Sequence, residues 1–385
     1  MKVLQVIPAV ATRYGGPSQA IYTMCRALQS QGVEILIATT NADGSDKLAE
    51  PLGERIVYQD VSTIFFNRQL SERFMYSRPL ARWLEDNVKN FDLVYIHAIF
   101  SHACIAAALA CRKRQKPYVV CPHGMLDPWS LKQKFARKRV IWHLGVKQML
   151  MGAAAIHFTS AEEKRLAESN LNLSSGVVVP NSIDLGFVER TIEPFSRQQP
   201  ELRNKPYILA LSRIHPKKGF ELLIDSFASL KRQRRFREWR LVFAGDGAPG
   251  YVDQLKSLTR RLGVGEESIF VGWLEGDRKY SALKGASLLA MPSYQENFGI
   301  SLVEAMAFGV PVLVSPQVNL APEIEEAGAG WIAALKREEM SRTMAEAMAS
   351  EEERKHRGEK ARSLSQKFAT SIVVTQLLDM YRSLI

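Results

Sequence analysis

The sequence predicts an α/β protein made of two units, each a parallel sheet covered by helices on both faces. The chain has 385 residues, a length that favours two domains over one. Short apolar runs without two-residue alternation recur between amphipathic segments of helical length, a pattern typical of buried parallel strands. The alternation stops once, in a proline-rich stretch at residues 189–206, and then resumes.

The first half of the chain contains six predicted strands, separated by helical segments such as residues 18–31. These strands are Val3–Ile7, Glu34–Ala38, Leu93–His97, Pro117–Cys121, Ala155–Phe158 and Val177–Val179. The first apolar run could be mistaken for a secretion signal, but Pro8 interrupts it and Arg13 follows. We therefore interpret it as a buried strand that ends in a loop.

The stretch 189–206 carries three prolines and many polar residues without sustained periodicity, as expected of a linker. Six more predicted strands follow it: Tyr207–Leu211, Leu241–Ala244, Ser268–Val271, Ser287–Ala290, Val310–Val314 and Trp331–Ala333. We therefore predict an amino-terminal domain over 1–188, a linker over 189–205 and a carboxy-terminal domain over 206–367. A terminal helix at about 368–385 is predicted to pack back on the first domain.

Composition limits the environment and the partners of the chain. The formal charge of +11 favours an anionic partner, which a nucleotide, a nucleic acid or a membrane surface would each satisfy. Two basic runs, within residues 111–150 and 231–237, lack the aromatic interleaving of a nucleic-acid binder. The four cysteines, Cys25, Cys104, Cys111 and Cys121, form no C-x-x-C pair and suggest buried thiols in a reducing compartment. No apolar stretch is long enough to span a bilayer, so we predict a cytoplasmic protein, soluble or peripheral.

Residues 245–250 match the dinucleotide-binding pattern G-x-G-x-x-G after an apolar strand. The match is weak, because Pro249 lies within the turn and the motif follows the second strand of its unit. No clear ribose-binding acid ends the next strand. A tight strand-to-helix turn explains the glycines better, although an NAD-dependent oxidoreductase stays an alternative.

The segment Pro292–Ala305 carries a stronger signal. It places a glycine-containing turn after an apolar strand and before a helix, with Glu296 and Glu304 on either side of the helix start. Free backbone N–H groups near residues 299–302 form an anion site that the helix dipole strengthens. A phosphate site with a carboxylate on each side suits a nucleotide sugar, although both glutamates are also compatible with solvated helix-start positions.

Two further segments lie where ligands bind in parallel sheets, at the carboxyl ends of first strands. Arg213 and Lys218 follow the first strand of the second unit and could clamp a diphosphate. Gly15 and Gly16 follow the first strand of the chain, where glycine lets the backbone approach a ligand closely. A solvated basic loop and a simple turn are the respective alternatives.

Arg213 with Lys218-Gly219, followed by Glu296 and Glu304 with seven residues between them, resembles family 4 of the retaining glycosyltransferases. The resemblance covers nearly the whole chain, including 180–184 and 245–247. The segment Pro122–Trp129 is most similar to bacterial enzymes of exopolysaccharide and surface-polysaccharide assembly. The family resemblance implies the GT-B fold, two facing Rossmann-like domains with an inter-domain cleft. Ser182 departs from the glycine that usually follows the asparagine in this family.

The resemblance also implies roles for single residues. Glu296 would contact hydroxyls of the donor sugar, Glu304 would hold the ribose, and His123 would face the sugar near the reacting carbon. The diphosphate would be bound by Arg213, Lys218, Gly15, Gly16 and the backbone N–H groups of Ser301 and Leu302. Phe298, Gly299 and Ile300 would offer backbone N–H groups to the sugar. On the acceptor side we place His97, Asp127 and Trp129.

The implied reaction moves a sugar from a nucleotide diphosphate to a hydroxyl with retention of configuration and without a metal ion or other cofactor. We expect a lipid-linked or glycan acceptor. Residues 131–150 are predicted to form a basic amphipathic helix with an apolar stripe of Leu131, Phe135, Trp142, Val146 and Met149. We expect this helix to bind an anionic membrane surface, and the alternative is a surface helix that packs its apolar stripe on its own sheet. An epimerase or phosphorylase on the same fold, and a non-catalytic scaffold, are the remaining alternatives.

Overall fold

The computed structural model describes residues 1–70, 72, 74–171 and 176–385 and divides the chain into two compact units. Unit 1 comprises residues 1–182 and 370–385, and unit 2 comprises residues 183–369.

Unit 1 contains an eight-stranded sheet in the order β10-β9-β8-β7-β1-β2-β6-β5, parallel except for β5 against β6. Its strands, with a separate two-stranded hairpin of β3 and β4, are β1 (Lys2–Ala9), β2 (Glu34–Thr40), β3 (Ala42–Asp43), β4 (Asp46–Lys47), β5 (Arg55–Tyr58), β6 (Val61–Phe66), β7 (Leu93–His97), β8 (Tyr118–Cys121), β9 (Ala155–Phe158) and β10 (Gly176–Val178). The central strands β1, β7 and β8 are buried along almost their whole length, because helices cover both faces.

The α-helices that precede the end of β10 are α1 (Gly16–Ser30), α2 (Arg78–Asn87), α3 (His102–Lys113), α4 (Pro128–Lys132), α5 (Phe135–Ile141), α6 (Lys147–Met151) and α7 (Ala161–Leu171). Residues 142–146 form a π-helical turn between α5 and α6. The predicted helix over 131–150 is therefore interrupted: Lys134 has a φ of +53° and separates α4 from α5. A residue in the left-handed region cannot continue an α-helix.

Unit 2 contains a six-stranded parallel sheet in the order β13-β12-β11-β14-β15-β16. Its strands are β11 (Tyr207–Leu211), β12 (Arg240–Ala244), β13 (Ser268–Gly272), β14 (Leu288–Met291), β15 (Val312–Val314) and β16 (Gly330–Ile332). Its α-helices are α8 (Phe220–Lys231), α9 (Pro249–Arg261), α10 (Gly276–Lys284), α11 (Ile300–Ala307), α12 (Ala321–Ala327), α13 (Arg337–Ala349) and α14 (Glu351–Ser365).

All twelve predicted strands are present, with ends shifted by at most two residues. The prediction omitted the edge strand β5, its neighbour β6 and the short hairpin. The segment predicted as a linker folds into two 3-10 turns whose Phe195 and Leu202 are buried in the core of unit 2. These two apolar side chains lie among the polar residues that suggested a linker. The last helix, α15 (Thr370–Arg382), packs against α1 within unit 1 and buries residues such as Val373 and Tyr381.

The strand order reverses beside the first strand of each sheet. In unit 1 the chain leaves β1 for β2 on one side and returns to β7 on the other, and in unit 2 β11 lies between β12 and β14. Loops that leave a sheet at such a point diverge, and ligands of open α/β sheets bind in the resulting crevice. Ligand-binding residues are therefore expected in the loops after β1, β7 and β8 in unit 1 and after β11 and β14 in unit 2.

Candidate functional site

The loops after β11 and β14 touch each other at the switch point of unit 2. Gly219 has a φ of +68°, and a Cβ atom there would lie 2.1 Å from the carbonyl oxygen of Pro292. The N–H of Tyr294 donates to the carbonyl oxygen of Lys217 at 2.8 Å. The close approach that requires glycine at 219 thus sets the basic loop beside the loop that carries Glu296.

Glu296 lies in a cluster of cations. The Lys218 ammonium contacts its carboxylate, and Lys217 donates to the side chain of the adjacent Gln295 at 2.9 Å. Burial opposes ionisation of Glu296, but the charges of Lys218, Lys217 and Arg213 and the hydrogen bond from Lys218 hold its pKa below the ordinary value. Three cations around one carboxylate leave positive charge that suits a polyanionic ligand. The structure therefore brings together the predicted Arg213, Lys218 and Glu296.

Glu304 is buried in α11, and its carboxylate accepts a hydrogen bond from the Lys279 ammonium at 2.6 Å. Burial raises the pKa of Glu304, and Lys279 opposes that rise. Sequence analysis missed Lys279, which lies on α10, 25 residues before its partner. No local pattern distinguishes it from the other exposed-face cations of that amphipathic helix, so only the packing of α10 on α11 reveals the pair.

The amino-terminal end of α11 matches the predicted anion site with one difference. Gly299 has a φ of +77° and precedes the helix, and Ile300 and Ser301 occupy its first two positions. An α-helix leaves the first N–H groups without an intrahelical acceptor. Leu302 was predicted to offer its N–H to the diphosphate, but it donates to the carbonyl oxygen of Gly299 at 2.9 Å. The side chain of Phe298 packs in the core, edge-on to Phe368.

The glycines of residues 245–247 have a packing role inside unit 2. A Cβ atom at Gly245 would lie 2.0 Å from the carbonyl oxygen of Ser212, and one at Gly247 would lie 2.1 Å from that of Ile214. Ile214 also donates its N–H to Asp246 at 2.7 Å. These glycines let the turn pair with the loop after β11, which agrees with the tight-turn interpretation of the motif.

In unit 1, Gly15 and Gly16 lie at the start of α1, where Gly15 has a φ of +90°. The preceding turn is fastened to the β3–β4 hairpin. Tyr14 accepts a hydrogen bond from the N–H of Gly44 at 2.8 Å, and Arg13 forms an ion pair with Asp43 at 2.6 Å. The glycine loop is therefore braced on one side by a hairpin that the sequence did not predict.

His97 and His123 form a stacked pair at the ends of β7 and β8. The Nδ1 atom of His97 lies 3.0 Å from Nε2 of His123, and the ring planes differ by 7°. The other ring nitrogen of His97 contacts the Oε1 atom of Gln5 at 2.9 Å. Burial lowers the pKa of His123 to about 3, with a further contribution from His157, and it lowers the pKa of His97 as well. Both imidazoles are therefore neutral at neutral pH.

The backbone around His123 is held in an unusual conformation. His123 has a φ of +51°, and Gly124 follows with a φ of +74°. The buried carboxylate of Glu163 accepts the N–H of Gly124 at 2.5 Å and that of Thr159 at 2.7 Å. Left-handed backbone at a residue with a side chain persists where its surroundings enforce it, and it occurs often at functional sites.

The predicted acceptor-side residues Asp127 and Trp129 lie at the start of α4. The carboxylate of Asp127 is buried and accepts the N–H groups of Trp129 and Ser130 at 2.8 and 3.4 Å, so it is the N-cap of that helix. Trp129 is half-buried in the first helical turn. A role in positioning the loop is thus visible for Asp127, whereas the sequence prediction had placed it on the acceptor.

The apolar stripe predicted for the basic helix is wrong in its orientation. Val146 and Met149 are buried in the core of unit 1, and Gly145 packs against Ile105. Of the predicted stripe only Phe135 is exposed, and the other exposed apolar side chains of this segment are Val140, Leu144 and Met151. The break at residue 134 and the π-helical turn explain the difference, because both rotate the helix faces relative to a continuous 3.6-residue period. Among the described residues, no helix is sufficiently long and apolar to cross a membrane.

Comparison with known proteins identifies the family. Residues 14–187 match the family Glycosyltransferase Family 4, and residues 192–364 match the family Glycosyl transferases group 1. The sulfoquinovosyl transferase of Arabidopsis thaliana is 24% identical over 342 residues, which cover 86% of this chain. The chain spans only 62% of the length of that relative. The alpha-monoglucosyldiacylglycerol synthase of Streptococcus pneumoniae is 25% identical over 319 residues, covering 79% of this chain and 69% of the relative.

Among solved structures, that of HepE from Anabaena in complex with UDP and glucose aligns over 100% of both chains with a TM-score of 0.80 and 21% identity. This similarity establishes the GT-B architecture for the two α/β units. The two family matches cover nearly the whole chain and contain the Arg213–Lys218 and Glu296–Glu304 segments described above. The chain belongs to the group 1, family 4 glycosyltransferases.

Proposed function

We propose that the chain is a retaining glycosyltransferase that uses a nucleoside diphosphate sugar as donor. The observation that carries the proposal is the arrangement around the Lys218–Glu296 pair in unit 2, with Lys217 and Arg213 nearby. Net positive charge beside the first N–H groups of α11 suits a diphosphate. The complexes of HepE with UDP and with UDP-glucose support a nucleotide-sugar donor.

The carboxylates of Glu304 and Glu296 bind the remaining parts of the donor in this proposal, the ribose and the sugar. One carboxylate oxygen of Glu304 accepts a hydrogen bond from Lys279, and the second oxygen can accept from hydroxyl groups. This arrangement is expected of a residue that binds ribose. Glu296 is anchored through its backbone, since its N–H donates to Gln317 at 3.1 Å and its carbonyl accepts from Asn319 at 2.9 Å. We assign Glu296 to hydroxyls of the donor sugar. Roles of Gly15, Gly16 and His123 toward the donor stay predictions.

The proposed reaction breaks the bond between the anomeric carbon and the diphosphate oxygen and forms a bond from that carbon to the acceptor oxygen on the same face. The acceptor proton passes to an oxygen of the departing diphosphate. Negative charge grows on that group, and Lys218, Arg213 and the N–H groups of Ile300 and Ser301 would stabilise it. Since these cations supply the charge stabilisation, we expect turnover without added divalent metal.

Titration of the full chain with uridine, guanosine and adenosine diphosphate sugars tests the donor site. We expect one of them to bind, with affinity reduced about 10- to 100-fold in Glu304→Gln, because a hydrogen bond to a charged group is lost. Glu325→Gln, at an exposed position of α12, is the matched control. Absence of binding by every donor would overturn the proposal, and selective binding of a nicotinamide cofactor would favour an oxidoreductase. Release of sugar phosphate instead of nucleoside diphosphate would indicate a phosphorylase, and interconversion of two nucleotide sugars would indicate an epimerase.

We further propose that the acceptor is a lipid-linked or glycan intermediate of surface polysaccharide or glycolipid synthesis, used at the cytoplasmic membrane face. Unit 1 exposes Val140, Leu144 and Met151 next to the exposed cations Arg139 and Lys147. Apolar side chains surrounded by basic residues favour an anionic lipid surface, to which each nearby cation contributes about 1 kcal/mol. The relative from Streptococcus pneumoniae, a monoglucosyldiacylglycerol synthase, agrees with a lipid acceptor.

A further inference from the structure

Gln5 is a buried amide in the middle of β1, a strand whose other residues after Lys2 are apolar and buried. Its side chain lies between two polar partners from distant parts of the chain. The Nε2 atom donates to the hydroxyl of Tyr381 on α15 at 3.4 Å, and the Oε1 atom contacts Nε2 of His97 at 2.9 Å. Burying an amide in a sheet core is costly unless its hydrogen bonds are made, so this placement suggests a purpose beyond packing.

The orientation of the Gln5 amide determines which ring nitrogens carry hydrogen. The carbonyl oxygen of the amide can only accept, so Nε2 of His97 is the protonated nitrogen. A neutral imidazole has one N–H, which leaves Nδ1 of His97 as an acceptor, and this atom is 3.0 Å from Nε2 of His123. Nε2 of His123 must therefore donate. Its Nδ1 atom carries the lone pair and lies 3.6 Å from the Cys121 thiol.

The surroundings keep this chain of hydrogen bonds neutral. His157 accepts from the Tyr95 hydroxyl and contacts the carbonyl oxygen of Val179 at 2.6 Å, so its own ring nitrogens are occupied. The Tyr95 ring packs 4.7 Å from that of His97. Burial raises the pKa values of Cys121, Tyr95 and Tyr381, so these groups stay protonated. The carboxylate of Glu163 is bound to backbone N–H groups of the same loop.

We infer that Gln5 and His97 are positioning residues that fix His123 as the Nε2–H tautomer, so that its Nδ1 atom is the acceptor of the ring, where a substrate hydroxyl would replace the weak contact with the Cys121 thiol. The inference rests on the proposed function for the identity of the substrate, a sugar or sugar-bearing acceptor. Because its only N–H is used by His97, the imidazole of His123 can accept from such a hydroxyl but cannot donate to it. The last helix contributes to this arrangement through Tyr381.

Nitrogen-15 NMR of the histidine-labelled full chain tests the tautomer without relying on activity. Assignment uses the loss of signals in His97→Asn and His123→Asn. We expect His97 and His123 each to show a protonated Nε2 and an unprotonated Nδ1. A protonated Nδ1 on His123 would overturn the inference, because the hydrogen-bond direction would then be reversed.

Two substitutions at Gln5 test the functional consequence. Gln5→Met fills similar volume but removes both hydrogen bonds, and we expect kcat to fall about 10- to 100-fold, the usual loss when a group that orients a site residue is removed. Gln5→Glu keeps an acceptor toward His97 and lets Tyr381 donate to the second oxygen. While His97 is neutral, at higher pH, we expect this variant to preserve the tautomer and to recover most of kcat. The activity should be lost on acidification, because a buried carboxylate favours protonation of His97, and an imidazolium would also donate from Nδ1 to His123.

The controls separate this inference from the proposed function. Binding of the nucleoside diphosphate, measured by titration, does not use Gln5, His97 or His123 and should be equal in the native chain and in both Gln5 variants. Thermal unfolding identifies a variant that fails to fold. If the native chain transfers sugar and Gln5→Met transfers it equally well, the positioning role is wrong while the transferase function stands. If the native chain binds no donor, the proposed function fails, and the NMR result still decides the tautomer.

Discussion

Lys218 and Glu296 form an ion pair in unit 2 whose side chains are only 10% and 15% exposed. The pair joins the loops after β11 and β14, which are 78 residues apart in the chain. It therefore combines a structural contact with the positive charge of the candidate donor site. Removing one partner leaves a nearly buried charge without compensation, whereas removing both leaves neither.

We expect Lys218→Met to lower the free energy of unfolding by about 3–5 kcal/mol and to reduce kcat by roughly 100- to 1,000-fold. The double variant Lys218→Met/Glu296→Gln should recover most of the stability, because it no longer buries an uncompensated carboxylate. It should recover none of the activity, because the lysine that binds the diphosphate is still missing. Urea unfolding and sugar transfer, measured on all four proteins, give the double-mutant cycle. Additive stability effects would show that the two side chains are not coupled.

The raised pKa of Glu304 predicts a pH dependence of donor binding. Its carboxylate must be ionised to accept ribose hydroxyls, so affinity should fall on acidification at a pH above the usual range for glutamate. Lys279→Met removes the charge that opposes the rise and should move this transition to still higher pH. Lys284→Met, an exposed lysine of the same helix, is the matched control and should leave the profile unchanged. Donor titrations between about pH 5 and 8, a range that covers the glutamate pKa shifts seen in proteins, would show the displacement of this transition.

Three histidines with lowered pKa values, His97, His123 and His157, predict acid sensitivity of unit 1. The unfolded chain binds protons near the ordinary histidine pKa of about 6.5, whereas the folded values are about 3 for His123 and about 4 for His157. Their contribution to stability is therefore complete above pH 6.5 and declines as the pH falls toward the folded values.

Each such histidine contributes a slope of up to about 1.4 kcal/mol per pH unit in this window. Denaturant unfolding between about pH 4.5 and 7.5 should show a shallower slope in His157→Gln than in the native chain. His356→Gln, an exposed position on α14, serves as the control and should keep the native slope. An unchanged slope in His157→Gln would contradict a neutral, buried His157.

The turn at residues 245–250 allows a direct comparison of its glycines. Gly247→Ala would place a Cβ atom 2.1 Å from a backbone carbonyl oxygen and should destabilise the chain by more than about 2 kcal/mol. Gly250→Ala meets no atom within 4 Å and lies in the first turn of α9, so it should be neutral or stabilising by about 0.5–1 kcal/mol. Thermal unfolding measures both. Equal effects would show that the turn does not pack against the loop after β11 as described.

The membrane surface proposed for unit 1 can be tested with two residues of equal exposure. Leu144 and Val57 are each 76% exposed, but only Leu144 lies in the basic segment. We expect Leu144→Ser to weaken binding to vesicles containing anionic lipid by about three- to tenfold, from the loss of one inserted apolar side chain. Val57→Ser should bind like the native chain. Equal losses of vesicle binding in the two variants, or equal binding to anionic and neutral vesicles, would argue against this surface.

Much of the donor site was predictable because its residues lie in short segments at strand ends. Arg213 and Lys218 follow β11, and Glu296 and Glu304 flank the start of α11, so local spacing places them at one edge of a parallel sheet. Lys279 and Gln5 were not predictable in the same way. Their partners are 25 and 92 residues away, and a lysine on an amphipathic helix or a glutamine in a strand has no distinctive local signal.

The α/β class, the twelve main strands, the family resemblance and the segments that carry the candidate donor site could all be predicted before the structure was known. These depend on apolar periodicity and on residue types at fixed local spacing. Three features became visible only in the folded chain: which face of residues 135–151 is exposed, the core residues in the segment predicted as a linker, and the hydrogen bond between two neutral histidines. Each of these depends on side chains from distant segments meeting in space, and their burial and charge environment exist only once the chain has folded.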